Sequence, residues 1–160
     1  MTQYLKAISK IIENPNANSG LILTAKCEQI LLHGYSNNLK YVKGISEINI
    51  QSSIYGFDKI NGNKLYQDLI GNIKVWFNYV ESVTDKAIEE KNYFAFFSAI
   101  TNKVKVLYQF IAYSNEVKID EQITGFTYDP RQETAKMAEI SCQEIEEAKI
   151  FFSNIGHVQN

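Results

Sequence analysis

Residues 63–114 read NKLYQDLIGNIKVWFNYVESVTDKAIEEKNYFAFFSAITNKVKVLYQFIAYS. In the first half, apolar residues fall at Leu65, Leu69, Ile73, Trp76, Val80, Val83 and Ala87, at spacings of 4, 4, 3, 4, 3 and 4. That is the seam of a bundle helix, because a stripe on one side must recur about every 3.6 residues. Tyr66, Ile70, Phe77 and Ile88 widen the seam, so the expected helix, 63–90, is half buried. The polar break Glu-Glu-Lys-Asn at 89–92 ends it, with Asn92 placed to cap the next helix. From Tyr93 the spacing resumes at Phe97, Ile100, Val104, Leu107 and Ile111 and predicts a second helix over 93–114. Two long helices joined by so short a break must run antiparallel.

The second helix has apolar residues on more than one side. Beside the main seam, Val106, Phe110 and Tyr113 form another stripe, which either the N-terminal helices cover or a partner does, and Phe94 and Ala112 lie on a third line. Its only charges are Lys103 and Lys105, near the middle, where a membrane would penalise them most. A membrane span is therefore excluded, and the helix is expected to be the most buried of the bundle.

Outward from this hairpin the signals thin. Residues 2–13 predict a short helix capped by Thr2, with Leu5, Ile8, Ile11 and Ile12 on one face and Asn14-Pro15-Asn16 as its stop. Residues 21–33 predict another helix ending at Gly34 as a C-terminal cap, with a strand over 21–25 as the alternative. Residues 35–62, punctuated by Asn37, Asn38, Gly44, Gly56 and Gly62, predict a loop-rich segment. After a linker at 115–128, Asp129 and Pro130 supply a cap and a first-turn proline for a third long helix over 130–152. Its core face is Thr134, Ala138, Ser141, Ile145, Ala148 and Phe152; Glu139, Gln143, Glu146 and Glu147 form its wet face.

The expected architecture is thus all-α: a single domain over 1–160, an antiparallel helical bundle of about four to five helices, three of them long. Composition agrees, with 45% apolar residues, ten Tyr, nine Phe and only two prolines. Net charge is −2 and Arg131 is the single arginine, which argues against nucleic acid, whose phosphates and base edges need a basic field and Arg forks. The opening residues lead into no apolar core of a secretion signal, so the expected location is cytoplasmic.

Chemistry-bearing motifs are sparse. Carboxylate-bridged metal sites in bundles need Glu-x-x-His, yet His33 and His157 follow Ile30 and Asn154 by three residues. Cys27 and Cys142 match no metal spacing, and no phosphate-cradling glycine motif occurs. No metal or other cofactor is expected. The preferred functional expectation is a non-enzymatic helical interaction module (an adaptor, inhibitor or immunity-type protein) that binds another protein or a second copy through Phe94, Val106, Phe110 and Tyr113. The alternative is a small-molecule-binding or sensory bundle with an apolar pocket between helices at Trp76, Phe97, Ala138, Ser141 and Ala148.

Overall fold

The computed structural model describes residues 2–55 and 59–117, and beyond them Gln143 and Glu146, both helical and exposed. The described residues form four helices and no strand: α1 (Thr2–Glu13), α2 (Ser19–Tyr55), α3 (Lys59–Glu89) and α4 (Tyr93–Glu116). They pack against one another as a helical bundle. The expected helix at 130–152 and residues 118–128 of the expected linker lie outside the described residues, those two positions excepted, while residues 115–116, expected in that linker, belong to α4.

α1 stops as its sequence predicts, at an Asx turn in which the Asn16 N–H donates to Asn14 Oδ1 at 2.9 Å. α2 begins earlier than expected, because Asn18 caps it: the Leu21 N–H donates to Asn18 Oδ1 at 2.7 Å. It then runs 37 residues, a rod of roughly 55 Å. The helix expected over 21–33 is present and its strand alternative is not. Two expectations are corrected: Gly34 is no cap, and residues 35–55 and 59–62 are helix rather than loop.

The reason is visible in what α2 buries. Leu23, Cys27, Ile30, Gly34, Asn38, Tyr41, Ile45 and Ile48 all face inward, at spacings of 4, 3, 4, 4, 3, 4 and 3. The row is a continuous bundle seam whose two central positions are a glycine and an asparagine. Gly34 sits where three helices meet. A Cβ there would lie 2.5 and 2.6 Å from the two Val106 methyls and 3.0 Å from Trp76 Nε1. Glycine is present because α4 and the indole approach the α2 backbone closely.

α3 runs antiparallel to α2, for Trp76 Nε1 donates to the Ile30 carbonyl at 2.8 Å while the earlier Leu69 lies against Gly44. α4 returns parallel to α2, pairing Cys27 with Ala95, Asn38 with Val106 and Tyr41 with Phe110. The turn between α3 and α4 is a Schellman closure: Asn92 N–H donates to Ala87 O at 2.8 Å and Lys91 N–H to Ile88 O at 3.0 Å. Lys91 holds the left-handed position at φ 56°, and Asn92 then caps α4 by accepting from the Ala95 N–H at 3.1 Å. No described helix is long and apolar enough to cross a membrane.

The buried apolar residues form two clusters along the bundle. One gathers Leu23, Cys27, Ile30, Trp76, Val80 and Val106 with their neighbours. The other gathers Tyr41, Ile45, Ile48, Tyr66, Ile70, Ile73 and Phe110, and Phe77 packs against both.

Candidate functional site

The Tyr93–Phe97–Ile100–Val104–Leu107–Ile111 seam of α4 was expected to face inward, with the stripe of Val106, Phe110 and Tyr113 either covered by the N-terminal helices or left for a partner. The structure turns the helix otherwise. Val106 and Phe110 are both 2% exposed, in contact with α2, and Tyr113 is half-buried. Ala95, Ala99 and Asn102 continue that inner face. Of the expected partner-binding residues only Phe94 is on the surface, at 75% exposure. The partner assignment of Val106 and Phe110 is thereby corrected, and it is the N-terminal α2 that covers them: small residues on one side of α4 let it close on α2.

The former seam is split. Ile100 and Leu107 are buried, Tyr93, Val104 and Ile111 are half-buried, and Phe97 is 51% exposed. Tyr108, next to Leu107, is 66% exposed. At about 100° per residue, Phe97, Val104, Tyr108 and Ile111 fall within one 60° sector, roughly, of the outer half of α4, with Phe94 beside it. This row is the most apolar face that the described part of α4 leaves accessible.

The inner face is held by polar contacts that the sequence reading did not single out. Asn38 Nδ2 donates to the Val106 carbonyl at 3.0 Å and to Gln109 Oε1 at 2.8 Å. Asn102 Nδ2 donates to the Cys27 carbonyl at 2.9 Å. Both amides are buried, so each bond fixes the register of α2 against α4 where unpaired groups would be costly. Position on a seven-residue repeat could have found Asn38. Hydrophobicity could not.

Two grooves open beside these contacts. One, of about 410 Å³, lies between α2 and α4 and is lined by Thr24, Cys27, Glu28, Phe94, Phe97 and Thr101 among others. The second, of about 420 Å³, lies between α2 and α3 beside His33, Asn37, Asn72, Trp76 and Tyr79. Trp76 and Phe97, expected in one pocket, line different grooves. Their expected companions Ala138, Ser141 and Ala148 lie outside the described residues.

Reactive chemistry finds little support in either groove. Cys27 is 3% exposed and its thiol donates to the Ala95 carbonyl at 3.3 Å. Burial, and secondarily the Glu28 charge, pushes the thiol up to about 11, so at neutral pH it is protonated and a poor nucleophile. Burial and then Cys27 push the Tyr79 phenol, which donates to Gln29 Oε1, up to about 12. His33 is exposed, its ring tilted 38° to that of Tyr79 with 6.3 Å between ring centroids. Among the described residues no three His, Cys, Asp or Glu side chains are grouped to hold a metal ion.

What geometry and chemistry define here is an all-α bundle with an aromatic row on one outer helix face. Comparison with protein-family models, curated proteins and solved structures gives no match to this chain.

Proposed function

We propose that the protein is a helical interaction module that binds another protein through the outer face of α4. The observation that carries this reading is the exposure of Phe94 and Tyr108 on a helix whose inner face is already occupied. Large exposed rings on one helix flank suit an interface, since each buries a large apolar area on docking. A helix suits this row, because side chains spaced four and three apart fit between the ridges of a second helix. Lys105, exposed beside the row, favours a helix with acidic flanks.

A photo-crosslinker at position 94, used in native lysate, tests this reading. Crosslinks should map to a helical stretch of one protein and be lost in the Phe97→Asp/Tyr108→Asp variant. Capture that is indifferent to those two substitutions would remove α4 as the binding face.

A further inference from the structure

We propose that the groove between α2 and α3 is a binding site for a small aromatic carboxylate, its ring laid on the Trp76–Tyr79 side and its acid group held by Lys40, Asn37 and Asn72. The site lies away from the outer row of α4 and does not rest on the interaction reading above.

Each helix gives the groove one stripe. His33, Ser36, Asn37 and Lys40 stand at spacings of 3, 1 and 3 on α2, and Asn72, Val75, Trp76 and Tyr79 repeat them on α3. The helices are antiparallel, so the contact of His33 with Tyr79 at one end puts Lys40 level with Asn72 at the other, seven residues along each helix. Seven helical residues span about 10 Å. One end of the groove is thus aromatic and the other cationic and amide-bearing.

The aromatic end is fixed before any ligand arrives. Trp76 Nε1 donates to the Ile30 carbonyl at 2.8 Å, and the Tyr79 hydroxyl donates to Gln29 Oε1. Both polar atoms are engaged by α2, so the two rings offer the groove apolar surface already held in place. The other end is the reverse. Among the described residues, Ser36, Asn37, Lys40 and Asn72 make no side-chain hydrogen bond or ion pair, although Ser36 and Asn37 are half-buried. No carboxylate lines the groove, in a chain with 18 Asp and Glu against 16 Lys and Arg. The next turn carries one charge of each sign, Lys43 and Asp68, so the sign at this end is that of Lys40. A carboxylate accepts from an ammonium and from amide N–H groups together, with the ammonium bond the stronger. The volume, about 420 Å³, lies in the lower part of the range for small-molecule sites and suits a two-ring acid.

The probe is naphthylacetate, titrated into the 160-residue chain and followed by calorimetry and by the indole N–H resonance of Trp76, the single tryptophan. A Kd of about 1 mM or tighter is expected, with a shift of that resonance on binding. Neutral naphthylacetamide and ring-less butyrate should each bind at least about fivefold more weakly. Lys40→Met should lower the affinity for naphthylacetate at least about fivefold and leave that for the amide unchanged. Val75→Glu, a like charge on a rim residue that is 68% exposed, should lower it at least about tenfold. Both positions are exposed, so neither variant disturbs the core, which ellipticity checks. Lys105→Met, in the groove between α2 and α4, should change nothing. Absence of saturable binding, equal affinity for the acid and the amide, indifference to Lys40→Met and Val75→Glu, or loss on Lys105→Met instead would each overturn the assignment.

Discussion

Replacing Gly34 with alanine probes the point where α2, α3 and α4 meet. The added Cβ would lie 2.5 and 2.6 Å from the Val106 methyls, about 1 Å inside ordinary van der Waals contact. Val106 cannot easily yield. It is 2% exposed, its χ1 is restricted because it is β-branched, and its carbonyl is held by Asn38 at 3.0 Å. Forcing a methyl into such a site costs roughly 1–3 kcal/mol, against which alanine recovers about 0.5–1 kcal/mol of helix propensity. The expected net loss is about 1–2 kcal/mol, a fall in melting temperature of roughly 2–8 °C at this chain length. Gly71→Ala is the control. It lies in α3 with no atom within 4 Å of its would-be Cβ, so alanine there should stabilise by about 0.5–1 kcal/mol. Thermal and urea melts followed by circular dichroism separate the two. Adding Val106→Ala to Gly34→Ala should make the double variant at least about 0.5 kcal/mol better than the sum of the singles. If both glycine variants stabilise alike, the three-helix approach at Gly34 is wrong.

Three further outcomes are expected from the described contacts. Cys27 holds its proton between its ordinary value of 9.0 and about 11 while the unfolded thiol loses it, so stability should fall as pH rises through that window; Cys27→Ala should flatten the fall in alkaline urea melts. Asn102→Asp places a carboxylate where the amide donates to the Cys27 carbonyl, and should cost about 3 kcal/mol or more at neutral pH, with part of it regained as the pH drops and the acid protonates. Lys91→Gly relieves a side chain held at φ 56° and should raise stability by about 1 kcal/mol in the same melts.

The α3–α4 hairpin was legible because its apolar spacing, its polar break and the Asn92 cap all indicate two antiparallel helices, and the structure agrees on the helices, the break and the cap. α2 was not, for a physical reason. Its core row passes through Gly34 and Asn38, residues that punctuate loops when read locally but here accept an indole and tie down a carbonyl. The orientation of α4 was misread for a related reason. Hydrophobicity assigns the largest side chains to the core, yet close packing against α2 uses Ala95, Ala99 and Asn102 and leaves Phe97 and Tyr108 outside. The aromatic excess of that helix was evident in sequence. Which flank carries it depends on distances that no single-chain pattern encodes.

The division of the core into two clusters decides what light emitted by this protein can report. Trp76 is the single indole, 4% exposed, and belongs to the cluster around Cys27 and Val106. The cluster around Tyr41, Ile45 and Tyr66 contains no tryptophan. Loosening at that end leaves the emission of Trp76 unchanged while backbone ellipticity falls, so the two signals coincide only when both ends of the bundle open in one step. A gap between the two melting curves would make the indole a silent witness to half the molecule, and its size would measure how far the long helices carry strain from one end to the other.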